Sequence, residues 1–282
     1  MRSVACFVAG VVTGLTGCVS SSFSSRPVHD NLSDSRSFCD GISSDNATLV
    51  RILRTTGYES CRIIAQNLSV VKKLDLSRLA PLDTSLLVRF SAIEELDVSG
   101  SAVRDLSFIT GFSTLKVLLA SNNGIATIPD GLPSSLMHLD LASNPLAEVQ
   151  ALSGLVNLEH LDLSFNPIAR PPDYCAFPNL RELGLESTGL VSVAPLSCLQ
   201  KLEALWLSAN HLRSLEPLRG MRHLRTLMAG HNQISDISPL ASLSELTEIG
   251  LEWNRIEDFS PLANLPGATG ANRFGNPGTR RR

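Results

Sequence analysis

The side chains with the most evident chemical capacity are two His-x-Asp pairs, His138 with Asp140 and His160 with Asp162, which recur 22 residues apart. Imidazole and carboxylate can ligate metals or move protons, so metal-dependent hydrolysis is the first chemistry to weigh. Ser164, four residues after His160, is a conceivable nucleophile. A second set is apolar: Trp206, Met228, Phe165 and Trp253. Large apolar side chains presented by a rigid scaffold are typical anchors of protein interfaces. A third set is acidic, with Asp75, Asp97, Asp140 and Asp162 at one register and Glu95 alongside. The last set is six cysteines: Cys6, Cys18, Cys39, Cys61, Cys175 and Cys198.

What these groups can do depends on the backbone that carries them, and the pattern of that backbone is plain. Leucine accounts for 46 of 282 residues. From residue 71 onward L-x-x-L-x-L-x-x-N-x-I/L recurs, with the first residue of each L-x-L pair at Leu74, Leu96, Leu118, Leu139, Leu161, Leu183, Leu205, Leu227 and Ile249. Every step is 22 residues except one of 21. This is the leucine-rich-repeat signature. L-x-L alternates with period two, so each pair is a short strand with its leucines inward. One coil cannot bury its own leucines, but stacked coils bury each other's. The asparagines Asn123, Asn144, Asn166, Asn210, Asn232 and Asn254 fall where the chain leaves the strand, and their amides can satisfy buried backbone groups there. Ser101 and Thr188 replace asparagine and can form fewer such bonds, so looser packing is expected around them.

This frame sorts the chemistry. Residues flanking the inward leucines face outward on a sheet, with parallel side chains, whereas zinc needs ligands converging tetrahedrally. Ser164 lies about 13 Å along a strand from His160, too far for a hydrogen bond. G-x-S-x-G, H-E-x-x-H and P-loop motifs are all missing from the sequence. The expectation is a non-enzymatic protein without cofactor or resident metal, with the hydrolase reading as the weakest alternative. Neighbouring carboxylates about 4.8 Å apart repel each other, which suggests a basic partner or a cation; solvated aspartates common to this register are the simpler explanation. Trp206 and Met228 are expected side by side on adjacent strands, with Phe165 and Trp253 at strand exits. The expected ligand-binding set is therefore Trp206, Met228, Phe165, Trp253, Asp140, Asp162, His138 and His160, holding a protein or peptide on the concave face. A tryptophan folded onto its neighbours, and an idle face on an envelope spacer or assembly factor, are the alternatives.

The Pro-Leu pairs at 195–196, 217–218, 239–240 and 261–262 suit short helical or 3₁₀ turns opposite the strands. With the 22-residue step they resemble the repeats of the internalins and of a phosphatase-regulatory leucine-rich protein. The resemblance implies an α/β fold: a right-handed leucine-rich-repeat solenoid with a parallel concave sheet and a short 3₁₀ or helical convex side. It spans residues 71–265, in about nine repeats. The segment 128–133, Ile-Pro-Asp-Gly-Leu-Pro, is closer to the shorter repeats of bacterial effectors. No immunoglobulin-like domain or cell-wall sorting signal of the internalin type is recognisable, so host-cell adhesion is not carried over. Residues 38–70 are expected to form a helical N-terminal cap, with a first helix starting near Ser44-Asp45 and stopping at Gly57 and a second short helix from about Glu59 to Asn67. Residues 266–282 are expected to form a degenerate tenth turn and tail, with Asn276 at the asparagine site.

Residues 1–17 carry one arginine before an apolar run too short to span a bilayer, which reads as a signal peptide. It ends Leu15-Thr16-Gly17-Cys18, which resembles the bacterial lipobox, whose cysteine is lipidated. The resemblance implies an acylated Cys18 as the mature N-terminus, anchored in the cell envelope, with the outer membrane favoured over the inner. Residues 18–37, rich in serine, read as a flexible tether. Of three possible pairings of the four remaining cysteines, Cys39–Cys61 and Cys175–Cys198 is favoured. Cys175 lies five residues before Leu180 and Cys198 four before Leu202, so the two sit at nearly one height in adjacent coils. A four-cysteine zinc site would need a C-x₂-C pair, which is lacking. Disulfides agree with export. A net charge of −3 with 43% hydrophobic residues argues against a disordered chain and an electrostatic nucleic-acid binder. A monomer is expected.

Overall fold

A computed structural model describes residues 38–279. The expected signal peptide, the lipidated Cys18 and the tether lie outside the described residues.

Nine three-residue strands form one parallel sheet in sequence order. They are β1 (Lys73–Asp75), β2 (Glu95–Asp97), β3 (Val117–Leu119), β4 (His138–Asp140), β5 (His160–Asp162), β6 (Glu182–Gly184), β7 (Ala204–Trp206), β8 (Thr226–Met228) and β9 (Glu248–Gly250). Each coincides with an L-x-L pair, and the central residues pair from Leu74 with Leu96 through to Leu227 with Ile249. Short 3₁₀ turns return the chain, with Pro195, Pro217, Pro239 and Pro261 in their first turns. The inward leucines and isoleucines form one continuous core along the stack. This is a leucine-rich-repeat solenoid.

Asparagine stitches the coils. Asn166 is almost fully buried; its amide nitrogen donates to the carbonyls of Leu141 and Leu163 at 2.9 Å, and its Oδ1 accepts from Leu146 N–H at 3.1 Å. Leu141 and Leu146 belong to the preceding coil, so one side chain ties two turns together. Asn144, Asn210, Asn232 and Asn254 repeat the arrangement. Ser101 and Thr188 make fewer such bonds, as expected, yet both remain buried. Ser101 Oγ donates to Leu76 O and accepts from Leu79 N–H, and Thr188 Oγ1 donates to Leu185 O. The asparagine of the following coil takes up the remaining backbone donors, since Asn123 Oδ1 accepts from Ser101 and Val103, and Asn210 Oδ1 from Thr188 and Leu190.

The position just before each asparagine site adopts a left-handed backbone. Arg78, Asn122, Ser143, Phe165, Ser187, Ala209, His231 and Trp253 all have φ between 51° and 59° there. For residues with a Cβ this costs on the order of 1 kcal/mol each. The conformation aims each N–H at the next coil: Phe165 N–H donates to Glu186 O, His231 to Glu252 O and Trp253 to Phe274 O. The parallel ladder thus gains a rung beyond each short strand.

Before the array, α1 (Ala47–Thr56) is capped by Asn46, whose side chain accepts from Thr48 and Leu49 N–H, and it stops at Gly57 with φ 75°. The start lies slightly after Ser44-Asp45 because Asn46 supplies the capping oxygen. A shorter α2 (Cys61–Ala65) follows. The disulfides are Cys39–Cys61 and Cys175–Cys198, with Cα atoms 6.0 and 5.6 Å apart. The second joins adjacent coils on the 3₁₀ side. Among the described residues no helix is long and apolar enough to cross a membrane.

Candidate functional site

The outward face of the sheet is built from the residues on either side of each inward leucine. The acidic register does not project freely from it. Asp75, Asp97, Asp140 and Asp162 each turn an Oδ1 back to accept the backbone N–H two residues on, at Ser77, Ser99, Ala142 and Ser164, over 2.8–3.0 Å. The strands are so short that the chain is already turning at these residues, and the carboxylate closes the turn. Asp140 is only 8% exposed. Burial pushes its pKa up to about 6 and also raises that of Asp162. These two aspartates hold the turn and colour the local potential, while Asp75 stays exposed and Asp97 half-buried at the other end of the register.

His138 and His160 pair across β4 and β5 and stack, ring centroids 5.0 Å apart and planes at 20°. His160 Nδ1 lies 3.0 Å from Glu182 Oε2, on β6. That contact raises the His160 pKa and lowers that of Glu182. Burial, then the neighbouring His160 charge, brings His138 down to about 4. Stacked rings with parallel nitrogens do not converge on a point, and among the described residues no group of three or more His, Cys, Asp or Glu is placed to hold a metal ion. His138 is therefore neutral in the fold where it would be charged in the unfolded chain. Its contribution to stability is complete above its unfolded value near 6.5 and is lost as pH falls towards about 4. In urea unfolding at pH 7.5 and 4.5, His138→Gln should lose less stability on acidification than the parent; equal losses would contradict this.

Trp206 and Met228 are direct neighbours on β7 and β8, and both are half-buried. Glycines open room around them. A Cβ on Gly184, beside Trp206, would fall 2.3 Å from Asp162 Oδ1, and one on Gly250 would fall 2.7 Å from Met228 Sδ. Asp162 and Met228 thus lean into spaces that only glycine leaves. In the same way Glu252 leans over Gly230, where a Cβ would lie 2.5 Å from its carboxyl, and its Oε2 is buried without a hydrogen-bond partner. Glu186 is part-buried with a raised pKa, burial being the main cause. Glu186 and Glu252 stand three residues after the inward Leu183 and Ile249, and nothing in that spacing signals their desolvation.

Phe165 and Trp253 lie at strand exits as expected, 42% and 50% exposed. They do not join Trp206 in one patch. Phe165 lies two coils before Trp206. Trp253 stacks on His231 at 5.9 Å and meets the Phe274 ring edge-on at 5.2 Å. The outward positions of β4–β9 carry no lysine or arginine. Basic side chains go instead to the position before the strands, where Lys72, Glu94 and Lys116, and then Arg181, Glu203 and Arg225, alternate in sign as exposed ion pairs. Such pairs contribute about 0–1 kcal/mol each, but they leave the face itself acidic.

Residues 113–168 match the family model described as leucine rich repeat, and residues 222–264 the one described as leucine rich repeats in two copies. Among solved structures the chain is similar to an internalin C2 from Listeria monocytogenes, at 29% identity over 79% of this chain and 90% of that one, with a TM-score of 0.63. A leucine-rich-repeat protein from Leptospira interrogans shares 22% identity over 77% of this chain and 64% of its own, also at 0.63. The functional domain of InlJ from Listeria monocytogenes, which includes a cysteine ladder, shares 18% over 76% of this chain and 55% of its own, at 0.59. The last two show the fold alone. No curated protein matches the sequence. Folds of this type are typical protein-binding modules.

Proposed function

We propose that the chain is a non-enzymatic protein-binding module of the bacterial cell envelope, anchored by a lipid on Cys18, whose outward sheet face holds a basic protein or peptide segment. The observation that carries this reading is the half-buried Trp206–Met228 pair set in the β4–β9 part of the face, whose outward strand positions bear carboxylates and no lysine or arginine. An apolar pair supplies the anchor, because removing indole and thioether surface from water is favourable in proportion to area. Glu186, Glu252 and Asp162 supply selectivity. Their negative charge is already desolvated, so an arriving lysine or arginine meets carboxylates that have lost part of their water. The reading differs from the initial set in weight: Trp206, Met228, Glu186 and Glu252 form the centre, Phe165 and Trp253 the rim, and Asp140 and the two histidines a supporting floor. Attachment to a membrane rests on the lipobox-like segment 15–18.

A photo-reactive residue placed at Met228, and separately at Arg219 on the 3₁₀ side, tests the face in intact cells. The expected result is a discrete adduct from position 228 that is missing at 219, with the cross-linked peptide rich in lysine or arginine. Equal adducts from both positions would count against the proposal.

A further inference from the structure

The array ends in a way that the leucine pattern does not explain. Register carries past β9: Gly250 bridges to Asn272, Leu251 N–H donates to Asn272 O, and Trp253 N–H to Phe274 O. Asn276 is fully buried and repeats the asparagine stitch, donating to Leu251 O and Arg273 O and accepting from Ile256 N–H. A tenth turn is therefore present. Its inward positions, however, are Ala268, Ala271 and Arg273, where the turn before has Leu246, Ile249 and Leu251.

Arg273 occupies the column that in earlier coils holds Leu163, Leu185, Leu207, Ala229 and Leu251, all essentially fully buried. Its side chain stays over the end of the core. One guanidinium nitrogen donates to Ala268 O, the guanidinium carbon lies 5.2 Å over the Phe259 ring, and Nε is buried with no hydrogen-bond partner. The stem covers apolar surface while the charge remains at the exposed end. A leucine would fill this column without an orphaned donor, so packing alone does not account for an arginine.

The end of a parallel array is an open sheet edge above an apolar core, which another chain can extend. Inward-pointing charge is one of the devices that close such an edge. The opposite end of the sheet is already covered by α1, which packs on β1. A second copy would therefore meet this end with its own equivalent end, as a twofold pair. That arrangement brings two Arg273 guanidinium groups to one apolar layer, adding like-charge repulsion to desolvation. Phe274 is 67% exposed beside it, and Trp253 leans so close over Gly275 that a Cβ there would lie 2.7 Å from the indole. The apolar material for association is present, and one charge stands in it.

We infer that Arg273 acts as a stop residue: it closes the C-terminal end of the solenoid against end-to-end pairing with a second copy of the chain. The test is sedimentation velocity over a wide concentration range on the full chain carrying Cys18→Ser, which removes any acyl anchor. Arg273→Leu and Arg273→Met, added separately, should each produce a concentration-dependent dimer, with self-association strengthened about tenfold or more over the parent. Methionine keeps a flexible stem over Phe259, so it serves where leucine disturbs folding. Arg273→Lys, which retains the charge, should stay monomeric. Folded leucine and methionine variants that both sediment as monomers would overturn the inference, and so would a lysine variant that dimerises as readily as they do.

Discussion

Asn166→Ala should destabilise the protein by about 2–5 kcal/mol, although it removes no apolar contact. The side chain is 1% exposed and bridges two coils through Leu141 O, Leu163 O and Leu146 N–H. Alanine orphans Leu163 O and Leu146 N–H, each at a cost of about 1–3 kcal/mol, while Leu141 O keeps the bond it accepts from the Asn144 amide. Water cannot readily compensate, because Asn144 in the preceding coil and Thr188 in the following one are themselves buried. Asn166→Asp should do no better. It keeps the acceptor for Leu146 but faces two carbonyls with a charge and no donor. Asn157→Ala is the contrasting case. Asn157 is exposed and donates to Ser134 O across the same pair of coils, and its loss should remain within about 0.5 kcal/mol. Urea unfolding followed by tryptophan fluorescence reads both. An Asn166→Ala loss below about 1 kcal/mol would mean that the asparagine column is not what holds adjacent coils together.

The scaffold was largely readable because it repeats. The leucine step placed all nine strands, and the asparagine column and the cysteine heights follow from the same arithmetic. What escaped the sequence depends on depth and on neighbours one coil away. The left-handed column holds Arg78, Asn122, Phe165, His231 and Trp253, which share no residue type that would mark it. Its cause is the extra inter-coil hydrogen bond, which is a property of the stack and not of any one coil. Asp140 and Trp206 occupy the same outward register, yet Asp140 is folded into its own turn while Trp206 stands beside a glycine. Spacing says which face a residue is on, not how far it projects from it. The consequences of Gly184, Gly230 and Gly250 lie with the residues that fill their spaces, Asp162, Glu252 and Met228, and so appear only once the coils are stacked. Residues 1–37, which carry the reading of an envelope lipoprotein, rest on the sequence itself.

The second large effect concerns binding. Trp206 presents the largest outward side chain of the sheet, flanked on one side by Met228 and on the other by Asp162, which fills the space over Gly184. A partner side chain that settles there buries indole surface next to desolvated carboxylates, the setting in which a few residues dominate an interface. Because the side chain is half-buried on the outer face and not part of the core, Trp206→Ala should change stability far less than Asn166→Ala does. The stability and binding effects are thereby separable.

The most direct measurement is the affinity of the partner that cross-links to position 228, titrated against the parent protein and against Trp206→Ala and Arg219→Ala variants. The proposed face requires Trp206→Ala to lose 2 kcal/mol or more of binding, on the order of a hot spot, with melting behaviour preserved and Arg219→Ala unaffected. Unchanged affinity of Trp206→Ala, or an equal loss on the 3₁₀ side, would contradict it.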